Sequence, residues 1–286
     1  MSISPPRPQV FIILLATLLS VAAASRVVSA SLAQNDTTRQ GLTPVQLEIE
    51  KQRQRLNSED IEERREALVR LRSLHHPHAS RAAIAGLTDA APVVRATAAA
   101  SVVFLPAGES AAALIPLLSD KDEFVRQQAA YALGETRSGS AVAALVERLS
   151  DKMNSVRGAA AVALGEIADP GAVVALAAVL NRQAGLPQPK KDKKTKPEQN
   201  PFVLRAAAHS LGQIGNRAAT PALLSVLTDE KAEDDVRREA AWALGRIGDT
   251  SAITALQQAL TARDPYLAEA AQEALRKIAK SQNALR

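Results

Sequence analysis

A ten-residue segment of the form Val-Arg-x-x-Ala-Ala-x-Ala-Leu-Gly recurs along this chain at a nearly constant interval. Its clearest copies span 125–134, 156–165, 203–212 and 236–245, and degenerate copies span 94–103 and 267–276. Gly134 and Gly165 lie 31 residues apart, and the 47-residue step from Gly165 to Gly212 is one such period plus an insertion of 16. A period of this length is typical of stacked units that share one continuous core. The repeat therefore predicts a solenoid, an architecture that commonly offers extended binding surfaces.

Each repeat is predicted to be two helices joined by a turn. In residues 110–136, Ser110 is suited to cap a first helix, Asp120 and Asp122 mark a polar turn, and a second helix follows. Counted in this way, the chain contains seven helix pairs. First helices are expected to begin near Pro44, Ala79, Ala111, Ala141, Ala172, Ala218 and Ala252, and second helices near Ile61, Pro92, Glu123, Asn154, Pro201, Asp234 and Asp264.

Glycine closes the repeat at the end of the second helix, at Gly134, Gly165, Gly212 and Gly245. Glycine within a helix costs about 1 kcal/mol relative to alanine. Because the same cost recurs at the same position, we expect a recurring cause. Close contact with a neighbouring helix is the simplest one.

The first 33 residues are predicted to be a secretory signal peptide. An apolar run over residues 10–24 follows a start carrying Arg7, and small residues then lead to Ala30 and Ala33 as cleavage points. The run is short for a membrane span, which needs about 20 residues. An uncleaved anchor extended through Val28 is the alternative. Residues 34–43 would then be a linker, and the predicted location is the bacterial periplasm or cell envelope.

Composition excludes several functions. The chain has no cysteine, so disulfides, thiolate catalysis and zinc–cysteine sites are excluded. Of the formal net charge of +5, residues 1–33 contribute +2 and residues 182–200 contribute +4, which leaves −1 for the rest. A solenoid that binds nucleic acid is expected to carry a basic stripe along its face. We therefore predict no specific nucleic-acid partner.

The insertion is predicted to be a disordered loop over residues 182–200, between the two helices of the fifth pair, because it is rich in lysine and proline and has little to bury. Residues 186–197 could attract an anionic membrane surface at about 1 kcal/mol per basic residue. A solvated linker is the alternative. The cations concerned are Lys190, Lys191, Lys193, Lys194 and Lys196.

The pattern Asp-x-x-x-x-Val-Arg-x-x-Ala-Ala-x-Ala-Leu-Gly-x-Ile resembles HEAT repeats of the phycobilisome-lyase type, with close matches over 120–136, 151–167 and 229–247. The resemblance covers residues 44–280. It implies an all-α fold over residues 44–286, an α-solenoid wound as a right-handed superhelix of about seven HEAT-like helix pairs. Repeats of this type serve many unrelated functions, so the resemblance implies a fold more than an activity.

Two groups of enzyme proteins share this repeat type. Deoxyhypusine hydroxylases are similar and bind iron through His-Glu pairs on their helices, but no His-Glu pair occurs here. His209, which we predict to be the only helical histidine, is followed by Ser210. Bilin lyases are also similar, but they are not expected to be exported. An enzyme or enzyme-accessory subunit of either kind is the alternative to a non-catalytic scaffold.

Three histidines close together, His75, His76 and His78, could hold a transition metal. No carboxylate lies nearby in the sequence, and Pro77 interrupts the cluster. We interpret the segment as an incidental surface loop, and we predict neither a metal site nor a cofactor.

Charged residues recur in step with the repeat. Aspartates open the turns and arginines follow at matching places, which fits either an anion-binding row of arginines or a structural ladder of Asp–Arg contacts. We favour the structural ladder, in which each arginine bonds the aspartate of its own or the adjacent unit. Its predicted members are Asp89, Asp120, Asp151 and Asp229 with Arg95, Arg126, Arg157 and Arg237.

One variable position, just before the Ala-Leu-Gly of each repeat, is the candidate binding site. It lies on the second helix, which in repeats of this kind lines the concave side. The chain is only 2% aromatic, yet its one tryptophan stands at this position, and aromatic residues dominate binding hot spots. The predicted contacts are Tyr131, Val162, His209 and Trp242, flanked by Gln128 and Glu239. Space-filling between helices is the alternative, and is our interpretation of a second shared position, at Phe124, Phe202 and Tyr266.

The sequence as a whole predicts a non-catalytic, exported scaffold. It would bind a protein or an extended peptide along its concave face, by surface complementarity and without covalent chemistry.

Overall fold

The computed structural model describes residues 42–181 and 200–284. The predicted signal peptide, most of the linker and all but the last residue of the predicted 182–200 loop lie outside the described residues. Of the described residues, 42–51 belong to one compact unit, and those from Gln52 onward belong to a second.

Within the described ranges, the chain forms fourteen α-helices and no strand, which confirms the all-α solenoid fold. In chain order they are α1 (Pro44–Arg55), α2 (Ile61–Ser73), α3 (Pro77–Ala83), α4 (Pro92–Ser101), α5 (Ala107–Leu114), α6 (Glu123–Thr136), α7 (Val142–Arg148), α8 (Asn154–Ile167), α9 (Val173–Leu180), α10 (Pro201–Ile214), α11 (Thr220–Thr228), α12 (Asp234–Ile247), α13 (Ile253–Ala259) and α14 (Pro265–Ala284).

The even-numbered helices are the second helices of the pairs, and they form one layer. From α2 to α12, each packs on the second helix of the next pair, while the first helices from α5 onward pack mainly on their own partner. Short 3₁₀ segments extend the first helices and complete the turns. The tightest packing of the array is therefore within the layer of second helices.

Four second helices end in the same way, and two of them also begin with the same kind of cap. Polar caps precede two of them: Asp122 accepts from the Phe124 amide at 2.9 Å, and Asn200 accepts from the Phe202 amide at 3.0 Å. A left-handed residue then ends α6, α8, α10 and α12. Gly215 and Gly248 adopt this conformation without a steric penalty, whereas Arg137 and Ala168 adopt it at some cost.

The core is built from small and medium side chains, and its largest fully buried members are all leucines. Alanine and glycine face the neighbouring second helix. A Cβ atom added at Gly245 would lie 2.6 Å from the Cα of Ala274, and one added at Gly134 would lie 2.8 Å from the Cα of Ala163. This confirms the prediction that the repeat glycine marks close helix–helix contact.

Two local predictions were wrong. Helix α5 begins at Ala107 rather than near Ala111, and Ser110 is buried inside it, where its hydroxyl donates to the Val102 carbonyl at 2.8 Å. Helix α3 begins at Pro77, so His78 is helical rather than part of a loop. Proline fits the first position of a helix, and His76 caps this one by accepting from the His78 amide at 3.2 Å.

Candidate functional site

The outward side of each second helix carries four positions at spacings of about four, three and four residues, which place them on one stripe. We call the combined surface of these stripes on α6, α8, α10 and α12, extended onto α14, the second-helix face. On α6 the stripe is Phe124, Gln128, Tyr131 and Glu135, and on α12 it is Asp235, Glu239, Trp242 and Arg246. The predicted binding residues all belong to this face.

The central column of the face holds the four predicted contact residues. Tyr131, Val162, His209 and Trp242 occupy the same position on successive helices, and all four side chains are partly exposed. The structure brings two of them together: the rings of His209 and Trp242 stack with their centroids 4.5 Å apart and only 5° between their planes. Tyr131 and Val162 lie further along the same column, and Gln128 is half-buried one turn before Tyr131 on α6.

Glu239 and Arg246 hold this stack in place. His209 Nδ1 lies 2.7 Å from Glu239 Oε1, with the two side chains 43% and 22% exposed. The Arg246 guanidinium lies 5.4 Å from the centre of the Trp242 ring, and its Nε donates to the Gly212 carbonyl at 3.3 Å. The indole is therefore positioned from two helices, α10 and α12, and stays accessible from outside.

Gly212 is the position that admits the indole. A Cβ atom added there would lie 2.7 Å from Trp242 Cζ3 and 2.8 Å from the Cα of Ala243. Glycine at this position of α10 thus allows both the helix contact and the ring above it.

The position after the repeat glycine forms one border of the second-helix face, which we call the polar edge. It consists of Glu135, Glu166, Gln213, Arg246 and Lys277 in chain order. Burial, and then the neighbouring charge of Glu135, raise the pKa of the Glu166 carboxyl above its ordinary value. By residue type, the polar edge changes from glutamate at the third and fourth pairs to arginine and lysine at the sixth and seventh.

The opposite border, which we call the aromatic edge, is formed by Phe124, Phe202 and Tyr266. These side chains are 48%, 40% and 66% exposed. Phe202 packs against Gly158 and Tyr266 lies under Arg238, whose guanidinium is 5.3 Å from its ring centre. The packing interpretation thus accounts for only part of their surface. Helical spacing from the central column was the sequence signal that could have placed them on the same face.

The predicted Asp–Arg ladder links consecutive pairs. Arg95 donates to both carboxylate oxygens of Asp120 at 2.7 and 2.9 Å, and Arg126 does the same to Asp151 at 2.9 and 3.0 Å. Each arginine also donates to carbonyls of its own turn, as Arg126 does to Asp120 at 2.8 Å. These guanidinium groups therefore already have hydrogen-bond partners within the stack of helix pairs. Arg64, which lies outside the predicted ladder, pairs with Asp89 in the same way.

The ladder does not extend to the sixth pair, which corrects the prediction for Asp229 and Arg237. Leu204 stands where an arginine would reach Asp229, and Asp229 instead accepts from the Lys231 amide at 3.0 Å. Arg237 donates to the Leu227 carbonyl at 3.2 Å and lies 3.6 Å from Asp234.

The sixth and seventh pairs are linked by an arginine one residue further along the chain than the ladder position. This is Arg238, which pairs with Asp264 at 2.6 Å. In the fourth pair, Arg157 donates to the Asp151 carbonyl at 2.8 Å and to the Asn154 side chain. The segment that follows α9 is outside the described residues.

The remaining candidate groups do not form a site. Within residues 42–181 and 200–284, no group of three or more His, Cys, Asp or Glu side chains could hold a metal ion. His75 lies 2.9 Å from the Ser73 carbonyl and packs on Phe104. No helix of the described part of the chain is long and apolar enough to cross a membrane. The lysines predicted to form an electrostatic loop lie outside the described residues.

A family model of HEAT repeats matches residues 111–185 and 195–276. The chain belongs to the HEAT-repeat family. This confirms the resemblance drawn from the repeat, and the match falls on the helix pairs that carry the second-helix face. A search of the curated proteins gives no match to this HEAT-repeat protein.

Solved structures with a similar fold include two proteins of known activity. The complex of CpcE and CpcF of phycocyanin lyase from Nostoc sp. PCC7120 is 23% identical, over 84% of this chain and 88% of that chain, with a TM-score of 0.48. Human deoxyhypusine hydroxylase is 19% identical, over 82% of this chain and 96% of that chain, with a TM-score of 0.36. An engineered protein is 24% identical, over 81% of this chain and 68% of that chain, with a TM-score of 0.51. At these identities the likeness concerns the fold alone.

Proposed function

We propose that this HEAT-repeat protein is a non-catalytic scaffold that binds a protein or an extended peptide along its second-helix face, which we take to be the concave side. The observation that carries the proposal is the partly exposed stack of His209 and Trp242, held in position by Glu239 and Arg246. A rigid, accessible aromatic surface of this kind is typical of binding hot spots.

The rest of the face supports the same function. Polar side chains border the stack on the polar edge, and exposed aromatic rings border it on the aromatic edge. An apolar centre with a mixed rim matches the anatomy of protein interfaces. The Asp–Arg ladder offers no competing site, because its arginines already bond carboxylates and carbonyls of the stack.

We also propose that the protein is exported to the bacterial periplasm or cell envelope. The support is the sequence of residues 1–33, in which an apolar run is followed by small residues and two Ala cleavage points. Mass spectrometry of the mature amino terminus tests this, since an intact Met1 on the protein recovered from cells would contradict cleavage.

The binding surface is tested by crosslinking and capture from cell-envelope extracts. We expect a partner held by the unaltered protein to be lost from the variant Tyr131→Ala/His209→Ala/Trp242→Ala. A matched control carries Glu147→Ala/Val174→Ala/Gln257→Ala, three exposed positions on first helices, and should retain the partner. Equal helicity and melting temperature of all three proteins are required. Retention by the first variant, or equal loss from both, would contradict the proposal.

A further inference from the structure

The second-helix face is followed by a basic groove at its carboxyl-terminal end. An open groove of about 410 Å³ lies between α12 and α14, lined by Gly245, Arg246, Lys277, Lys280 and Ser281. Gly245 lines the groove where α12 and α14 approach most closely, since a Cβ atom added there would lie 2.6 Å from the Cα of Ala274. The groove therefore presents three cationic side chains around a small cleft.

Most of this positive charge has no carboxylate partner among the described residues. Arg246 contacts only a carbonyl oxygen and the face of an indole. Glu273 is shared between Arg276 at 3.3 Å and Lys277 at 4.0 Å, and Lys280 forms no ion pair within the described ranges. Unlike the ladder arginines, these cations remain available to an external anion.

Arg246 joins the groove to the aromatic stack. Its guanidinium lies 5.4 Å from the centre of the Trp242 ring, and the same side chain lines the groove. From Trp242 to Arg246 the distance along α12 is one helical turn, about 5.4 Å. Lys277 and Lys280 lie on α14, whose axis is about 8–10 Å from that of α12. An extended chain advances about 3.3 Å per residue, so about three residues span the distance from the stack to the cations.

The opposite end of the polar edge has the opposite charge. Glu135 and Glu166 lie there, on α6 and α8, and Glu135 pairs with Arg72 at 3.3 Å. An acidic segment would be attracted less strongly there than at α12 and α14. Charge complementarity thus places such a segment at one end of the face.

We propose that the groove binds an acidic segment of an extended peptide, with an apolar side chain of the same peptide on the His209–Trp242 stack. This inference rests on the proposed function and specifies the partner's chemistry: an apolar residue with carboxylates within about three residues of it. Arg246, Lys277 and Lys280 would each neutralise carboxylate charge, and the indole would bury the apolar side chain.

The test uses the full chain, whose single tryptophan lies at the site. Intrinsic fluorescence and calorimetry follow titration with three short peptides that are blocked at both ends. One has Phe beside three Glu, one has Phe beside three Lys, and one has Ala beside three Glu. We expect the first to bind at least about tenfold more tightly than either of the others, which corresponds to the usual spread for lost charge or apolar contacts.

A variant with Arg246→Gln, Lys277→Gln and Lys280→Gln should bind the acidic peptide about tenfold or more weakly than the unaltered protein. The control variant Arg70→Gln/Lys121→Gln/Lys231→Gln removes the same net charge from exposed sites away from the groove and should bind unchanged. Equal or tighter binding of the lysine peptide, undiminished binding by the groove variant, or no binding of the acidic peptide up to about 1 mM would each overturn the inference.

The capture experiment distinguishes failure of the groove assignment from failure of the proposed function. If the Tyr131/His209/Trp242 variant loses its partner while the groove variant keeps it, the second-helix face is a binding surface and the groove assignment is wrong. If both variants keep the partner, the face itself is not the binding surface.

Discussion

At the scale of single residues, the chain contains both buried and exposed ion pairs. Arg126 and Asp151 are each only 6% exposed and bond each other through two hydrogen bonds, whereas Arg81 and Glu109 form an equally close pair at 49% and 38% exposure. A buried charge that loses its partner cannot be solvated by water in its place, whereas an exposed charge can.

Replacing Arg126 by alanine is therefore expected to cost about 3–5 kcal/mol in the free energy of unfolding, because the Asp151 carboxylate would remain buried and unpaired. Arg81→Ala is the matched control and should cost less than about 1 kcal/mol. Urea denaturation of the two variants measures the difference. Similar losses in both would mean that the ladder stabilises the stack no more than a surface ion pair does.

At the scale of elements, the repeat glycine sets the spacing between second helices. Sequence reasoning located this contact because the glycine recurs at one position, and the Cα of Ala274 indeed lies where a Gly245 side chain would be. It did not locate the helical start at Pro77 or at Ala107. His76 caps the first of these helices, whereas Pro106 precedes the second without a side-chain cap. Neither signal recurs in the other pairs, so the repeat did not reveal it.

Gly245→Ala should lower the free energy of unfolding by about 1–3 kcal/mol, because the added methyl group would overpack the α12–α14 contact. Helix propensity alone predicts a gain of about 1 kcal/mol. Gly108→Ala lies in the first turn of α5, where nothing lies within 4 Å of the added atom, and should gain at most about 1 kcal/mol. Thermal unfolding followed by circular dichroism compares the two variants. A Gly245→Ala protein that is more stable than the unaltered protein would contradict the tight contact between Gly245 and Ala274.

At the scale of the molecule, the ladder connects the stability of neighbouring pairs to pH. The Arg95 hydrogen bonds lower the pKa of the Asp120 carboxyl. Burial acts to raise the pKa of Asp151, but the bonds from Arg126 and the Met153 amide outweigh it and the pKa is lowered. A carboxyl with a lowered folded-state pKa stabilises the fold above its unfolded pKa of about 3.9 and loses that contribution as pH falls through the folded value.

The free energy of unfolding should accordingly decline as the pH falls below about 4. The variant Asp120→Asn/Asp151→Asn should be less stable at neutral pH and should show a shallower decline in acid. Chemical denaturation at a series of pH values measures both slopes. Identical slopes would show that other carboxyls govern acid unfolding.

The sequence by itself determined the period, the helix pairs, the family and the face on which partly exposed aromatic residues stand, because a repeat imposes the same environment on equivalent residues. Only the tertiary structure decided which side chains on that face meet. The His209–Trp242 stack, the placement of Arg246 over the indole and the shift of the Asp–Arg contact to Arg238 and Asp264 each join different helices. Such contacts depend on which side chains two neighbouring helices carry at the variable positions and on how those side chains are oriented, and the repeat fixes neither.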